Sequence, residues 1–390
     1  DGDEPATGAT VGQVDDGADD GVDDAGDDGT PADDGDADDG GSAAEELSPE
    51  EIRFYLAKLA PKLAGRSLTL EENAIIDAGG EETLTAVLEG WANEPGFGEA
   101  VRYMVSDMLH ASGERDGVDF ELPGNLAAEI ATGDLPWSTI LTADYCVAAD
   151  GSHIDCDTGA PYTAGVLATR AYLIANKGRF NLTRAKQMLE IFACRKYPME
   201  PEIQIPLEKE VLIPMFRAQN PEEQTVEEAK GGFGNGVACY TCHSQFGAHA
   251  QLFVKYNGSG LWVGDATGLQ DPTNELGRSV NDLYTSHMND PAAAASEESQ
   301  VFGQPVANLS EAGEVIATSP LFQQCTVKNL IGRSFGVSSG ATDAIDADIV
   351  AEIAQRVTAN DDDPTIRAYV MEVFTDRRII ETVLDTMGGE

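Results

Sequence analysis

Sixteen of the first forty residues are Asp or Glu and none is Lys or Arg, with Gly, Ala and Thr filling most of the rest. A stretch of that kind buries too little apolar surface to offset the entropy lost on ordering, so residues 1–46 are expected to form a disordered acidic tether. As a coil, forty such residues reach about 35 Å, and self-repulsion extends them further. The Asp-Asp-Gly repeats lack the twelve-residue spacing and closing Glu of an EF-hand loop. A tenth of the chain is thereby removed from any core.

The remainder is acidic too. Taking those sixteen acids from the formal charge of −45 leaves −29. Nucleic acid is excluded as a partner, because a polyphosphate needs a basic surface, and anionic lipid is disfavoured for the same reason. No apolar run approaches the length of a membrane span, Gly165–Ala175 being interrupted by Thr169 and Arg170. A protein partner with a cationic docking face fits this charge.

Folded structure is expected from Ser48, read as an N-cap, with Pro49 at the first helical position and Glu51 closing a capping box. Helical spacing then covers Ile52–Leu59, Leu70–Ile76, Glu81–Trp91 and Phe97–Leu109, giving a helical domain over 47–125. A helical middle domain over 126–230 follows. It holds a turn at Leu135-Pro136-Trp137, a polar loop from Cys146 to Cys156 with its turn at Asp150-Gly151, and helices over Tyr162–Ala175 and Leu182–Arg195. Next come a Pro-punctuated extended stretch, Tyr197–Pro214, and a flexible lead-in, Gly231–Gly236. The last region, 231–390, places helices at Leu309–Ile316, Leu321–Ile331, Ala347–Val357 and from Asp363-Pro364 through Val383. The fold class is mainly α.

Cys239-Tyr240-Thr241-Cys242-His243 is the sharp signal. With six Cys and five His in the chain, a C-x-x-C-H arises by chance roughly one time in a thousand, and its spacing is that of c-type haem attachment. On a helical turn the two thiols share a face and can bond the porphyrin edge while the imidazole of His243 turns under the ring to reach iron. A thioredoxin-type C-x-x-C would sit near a βαβ unit, a zinc site needs further ligands, and a local Cys239–Cys242 disulfide suits a helix poorly. One covalent haem c is therefore expected, held by Cys239, Cys242 and His243. For the second axial position, Met288 or His287 is favoured, in a loop 44 to 45 residues past His243. His249 and Met215 are weaker candidates, since on a helix continuing from the motif His249 points away from the distal side. Met104, Met108, Met188, Met371 and Met387 fall in expected helices, where packing is their role.

The other four cysteines are even in number, as an oxidising compartment allows. Cys146 with Cys156 is the simplest local pair, leaving Cys194 with Cys325; three connectivities stay open, beside buried free thiols. No G-x-S-x-G, H-E-x-x-H or phosphate-binding loop accompanies them, so no catalytic residue is assigned.

With these residues in view, the chain resembles the planctomycete-type cytochrome c proteins, exported cytochromes of planctomycetes and myxobacteria built largely from domains of unknown function. The likeness runs in order along the chain. It comprises Leu63-Ala64-Gly65-Arg66-Ser67-Leu68-Thr69 with Glu71-Glu72 and Pro95-Gly96-Phe97; Leu135-Pro136-Trp137 with Leu141-Thr142-Ala143-Asp144-Tyr145; and Gly165-Val166-Leu167 with the helix ending in Cys194. Past the haem motif it continues through Phe253, Tyr256, Asn257, Gly260 and Trp262, then Ser319-Pro320-Leu321-Phe322 with Cys325 and Gly332-Arg333. Gly247-Ala248 stands where that family often has Asp-Pro, so the local haem wall is expected to differ. The resemblance implies an exported monohaem cytochrome. Single-electron transfer to a redox partner leads. A haem enzyme, peroxidase-like or the electron-accepting part of an exported oxidative system, is one alternative, and a surface-displayed interaction module stabilised by haem is another. A chain opening on Asp rather than Met is read as one whose export signal has been removed or omitted. Periplasm, outer-membrane surface or extracellular space all follow; the tether would equally suit a lipoprotein, though no Cys stands near the start to carry the lipid.

Overall fold

The computed structural model describes residues 46–177, 181–197, 249–264, 296–335 and 345–387. The acidic stretch, the Pro-punctuated run past Tyr197, the glycine-rich lead-in, the C-x-x-C-H motif, Met215, His287 and Met288 lie outside them. The architecture is mainly α, and no helix among the described residues is long and apolar enough to cross a membrane.

The first helix, α1 (Pro49–Leu63), starts where a capping box starts it: the Ser48 amide donates to Glu51 Oε2 at 2.8 Å while the Glu51 amide donates to Ser48 Oγ at 3.3 Å. Ile52, Tyr55, Leu56, Leu59 and Leu63 fall on its buried stripe. Thr69 and Glu72 repeat the device for α2 (Leu70–Ala78), and α3 (Glu82–Ala92) and α4 (Pro95–Met108) complete the first layer.

A helix that periodicity had not shown, α5 (Leu122–Thr132), follows. Pro123 is well placed in its first helical turn. Gly124 is there for proximity: a Cβ on it would stand 2.4 Å from Ser106 Oγ, and one on Gly98 would stand 2.6 Å from Thr132 Cγ2. Two bare backbones thus let α4 and α5 form the most extensive helix pairing among the described residues.

Two short helices, α6 (Thr139–Thr142) and α7 (Arg170–Ala175), precede α8 (Leu182–Phe192). The helix expected over Tyr162–Ala175 is thereby corrected to its last six residues. Gly165 adopts φ +50°, and a side chain there would strike the Ile140 carbonyl at 2.2 Å, so the chain turns under α6 and becomes helical only after Thr169 caps it. The final expected helix is also corrected. It is two helices, α12 (Ile366–Phe374) and α13 (Arg377–Met387), because Thr365 caps the first and Asp376 interrupts the run, its carboxylate accepting from the Arg378 amide at 3.0 Å. Between α8 and these lie α9 (Leu309–Ala317), α10 (Pro320–Ser334) and α11 (Ala347–Asn360).

Among the described residues three antiparallel hairpins, β1–β2 (Glu114–Arg115, Val118–Asp119), β3–β4 (Cys146–Val147, His153–Ile154) and β5–β6 (Ser299–Val301, Gln304–Val306), join the helices. Cys146 and Cys156 are bonded across the second, with Gly151 at φ +80° in its turn.

One hydrophobic core runs from Leu47 to Val383, drawing on the 47–125, 126–230 and 231–390 stretches alike, and residues 46–390 form one compact unit. Long-range bonds tie its ends. Tyr55 Oη donates to the Phe374 carbonyl at 3.2 Å, the Trp137 amide donates to the Pro364 carbonyl at 2.9 Å, and Trp137 Nε1 donates to Thr326 Oγ1 at 3.2 Å.

In the first layer Arg66 bridges two carboxylates. It meets Glu72 through both terminal nitrogens, at 2.8 and 2.9 Å, and Glu94 at 2.7 Å, while Trp91 Nε1 donates to Glu72 at 2.6 Å. The Arg66 guanidinium holds the largely buried Glu72 carboxyl down at about 2. A depressed carboxyl stabilises the fold above its unfolded value near 4.5, and that contribution is lost as pH falls toward 2. Its size is on the order of 3 kcal/mol. Thermal unfolding of Glu72→Gln should therefore show a lower midpoint at pH 7 and a flatter midpoint between about pH 4.5 and 2 than the parent. Parallel curves for the two proteins would refute the assignment.

Candidate functional site

The attachment motif and both favoured axial candidates fall outside the described residues, so the site is built from what adjoins the motif in sequence. His249 and Ala250 are helical and lead into a 3-10 turn over Gln251–Phe253. From there to Trp262 the backbone is fastened to α7 and α8. Arg184, fully buried on the apolar face of α8, donates from Nε to the Leu173 carbonyl at 2.8 Å, from Nη1 to Asn181 Oδ1 at 2.8 Å and the Tyr256 carbonyl at 3.0 Å, and from Nη2 to the Asn257 carbonyl at 2.8 Å. Asn181 Nδ2 donates to the Phe253 carbonyl at 2.9 Å. Asn257 Oδ1 accepts from the Ser259 and Leu261 amides, and Gly260, at φ +71°, passes with its hypothetical Cβ 3.2 Å from Arg170 Cα. The aromatic and glycine spacing noted from sequence is thus a clasped turn whose Phe253 and Tyr256 are core residues.

Ahead of this clasp in sequence stands the Tyr197–His249 pair. His249 is fully buried; its Nδ1 is hydrogen-bonded to Tyr197 Oη, and its Nε2 is buried without a hydrogen-bond partner. Burial pushes the imidazole down to about 3, so it is neutral at pH 7, and burial pushes the Tyr197 phenol up. A buried polar nitrogen left unmatched costs about 1–3 kcal/mol. If Nδ1 carries the proton and donates to the tyrosine oxygen, Nε2 presents a bare lone pair, the form in which imidazole binds a metal. Tyr197 is itself positioned by the Cys194–Cys325 disulfide three residues before it, which joins the end of α8 to α10 with Cα atoms 5.2 Å apart.

A second buried polar group adjoins this segment. Glu297 is almost fully buried; Tyr162 Oη donates to its Oε1, and Lys255 Nζ stands 3.9 Å from its Oε2 and 5.2 Å from the centre of the Trp262 ring. Trp262 Nε1 reaches toward the same carboxylate without meeting hydrogen-bond geometry, and Tyr256 Oη is likewise unmatched. Burial raises the Glu297 carboxyl, opposed by the Tyr162 hydrogen bond and Lys255.

The two other described histidines have ordinary surroundings. His110 is an exposed residue at the end of α4, and His153 stacks on Tyr145 at 3.8 Å while both contact Glu129. Met104, Met108, Met188, Met371 and Met387 do lie in helices. Among the described residues no group of three or more His, Cys, Asp or Glu is arranged to hold a metal ion. Sequence reasoning passed over Arg184, Tyr197 and Glu297. Only Arg184 left a signal, a charge at an apolar position of a stripe that holds Leu182, Ala185, Met188, Leu189 and Phe192.

No family model, curated protein or solved structure matches the chain.

Both cysteine pairs expected from sequence are bonded. The Cys194–Cys325 bond closes a loop of 131 residues, and loop entropy assigns it about 4–5 kcal/mol before any strain is subtracted. Replacing both cysteines by Ala should lower the guanidinium unfolding midpoint by nearly twice as much as replacing Cys146 and Cys156, whose loop spans 10 residues and is assigned about 2.7 kcal/mol. Equal shifts would show that the long staple does not constrain the unfolded chain.

Proposed function

We propose that the chain is an exported monohaem c-type cytochrome that passes single electrons to a protein partner. The observation that carries this reading is Cys239-x-x-Cys242-His243. The two thiols would hold the haem edge through thioether bonds, and the His243 imidazole would hold the iron. The described residues fit such a group in one respect independent of the motif: the segment that follows it carries a buried, neutral imidazole with an unmatched nitrogen. Haem c, when bound, supplies a one-electron couple. The chain's part is to fix the group, shield it and set the field around it.

Two disulfides accord with an oxidising compartment. The charge of −45 fits a cationic docking partner, whose association would be steered electrostatically and slowed by salt. The resemblance to planctomycete-type cytochromes c points the same way.

The decisive experiment is acid-acetone extraction of the protein produced in an exporting host with haem-attachment machinery. Haem should stay on the polypeptide and give a pyridine haemochrome of the c type, and replacing Cys239 and Cys242 by Ala should abolish it. Complete extraction of haem, or an intact mass equal to the bare chain, would overturn the proposal.

A further inference from the structure

We propose that the groove framed by α1, α4, α10 and α12 is a binding site for a small amphipathic carboxylate, its apolar body lying along α4 and its carboxylate received by Lys62. The site goes beyond the electron-transfer reading and shares no residue with it. The groove holds about 540 Å³, which falls within the roughly 300–1,000 Å³ of pockets that take small organic ligands. Its walls come from stretches far apart in the chain: Leu63 to Gly65 where α1 ends, Gly96 and Phe97 where α4 begins, and Arg333 in the last turn of α10. All three stretches stand out in the sequence, and none adjoins the Cys-x-x-Cys-His motif in the chain.

The course of α4 fixes the shape. At one end Gly96 packs against the chain leaving α1, so closely that a Cβ on it would stand 2.5 Å from the Ala64 carbonyl. At the other end Asp107 is paired with Arg333 of α10. From Gly96 to Asp107 the helix rises about 16 Å, so the groove is elongated. Its floor is apolar, because Leu63, Phe97, Val101, Leu330 and Val370 are buried among their neighbours yet still line the space. Tyr103, a largely exposed aromatic whose ring lies 5.6 Å from the Arg102 guanidinium, stands at the rim. Beside Gly65 a Cβ would meet nothing within 4 Å, so that end of the groove is open to an occupant.

Charge decides what the occupant carries. Lys62, Glu99, Asp107 and Arg333 are the ionisable side chains other than tyrosine on the groove wall. Glu99 is met by Arg102 Nη1 at 3.1 Å and Asp107 by Arg333, whereas Lys62 makes no hydrogen bond or ion pair among the described residues. One ammonium is thus the charge left over. A ligand carboxylate would answer it, while the apolar body covers the floor and the face of Tyr103 and releases their water. The acidic molecule as a whole attracts cations at long range, so the rival occupant is a cationic amphipath, which the ammonium repels at contact.

The test is isothermal titration calorimetry of the full-length protein with laurate, kept below its micelle concentration. One saturable site is expected. Dodecyltrimethylammonium, with the same chain length and the opposite charge, should bind at least tenfold more weakly. Lys62→Ala, a change at an exposed position, should weaken laurate about fivefold, the worth of one exposed ion pair, and Lys62→Arg should keep most of the affinity. Ala100→Trp, which sets a large side chain into the groove from a half-buried position of α4, should abolish laurate binding. No saturable laurate binding, a stoichiometry well above one, equal or tighter binding of the cationic amphipath, or laurate binding that neither Lys62→Ala nor Ala100→Trp alters would each overturn the proposal. Should Ala100→Trp fail to fold, the two Lys62 variants and the cationic probe decide the matter.

Discussion

The Arg184 guanidinium is the constraint on which the region following the Cys-x-x-Cys-His motif depends. A cation fully removed from water is tolerated only when its donors are matched, and here they are spent on three backbone carbonyls and one amide oxygen drawn from three stretches of chain. Leu173 closes α7, Asn181 caps α8, and Tyr256 and Asn257 come from the segment after the motif. The Asn257 carbonyl also accepts from the Gly260 amide at 3.1 Å, so the arginine answers chiefly the Leu173 and Tyr256 carbonyls and Asn181 Oδ1. Breaking the clasp would leave several buried acceptors unmatched at once, and it would release Phe253 and Tyr256 from the core. The Tyr197–His249 bond adds a further tie between the chain after α8 and the start of that segment.

Features resting on local chemistry were legible in the sequence, and those resting on proximity were not. Ser48 with Glu51 needs only three residues to declare a helix start, and the structure begins α1 there. The two disulfides were legible because one pair closes a short turn and leaves a single partner for each remaining thiol. By contrast α5 was not read from the sequence, and what fits Gly124 to it, the passage of α4 close enough to exclude a side chain, is a matter of proximity. Gly165 misled in the opposite direction: its neighbours keep an apolar helical rhythm, but the backbone needs a positive φ beneath the Ile140 carbonyl. Of the candidate site, the motif residues were plain in sequence and the Tyr197–His249 contact was not, because 52 residues separate its members and neither carries a spacing of its own.

The scarcity of bases shapes the surface in the same physical terms. With 24 Lys and Arg against 69 acids, most arginines of the described fold are drawn into carboxylate pairs that tie separate elements: Arg66 to Glu94, Arg102 to Glu121, Arg356 to Asp376, Arg377 to Glu81. Each exposed pair contributes at most about 1 kcal/mol. Their joint effect is to place the cations at joints between helices, where they offset the repulsion of an acidic chain, and to leave the outward field negative.

That field bears on the redox reading. Reduction of ferric haem adds an electron, which a surrounding negative charge opposes, so an acidic protein biases its haem toward the oxidised form. Buried Arg184 pulls the other way, but its charge is spread over four oxygen acceptors beside the His249 segment. Were the proposed haem bound, the acidic shell would therefore suit a low-potential carrier. Such a carrier would be drawn to a cationic partner by the same charges that lower its potential, so docking, which covers those charges with positive ones, would raise the potential of the bound form relative to the free one.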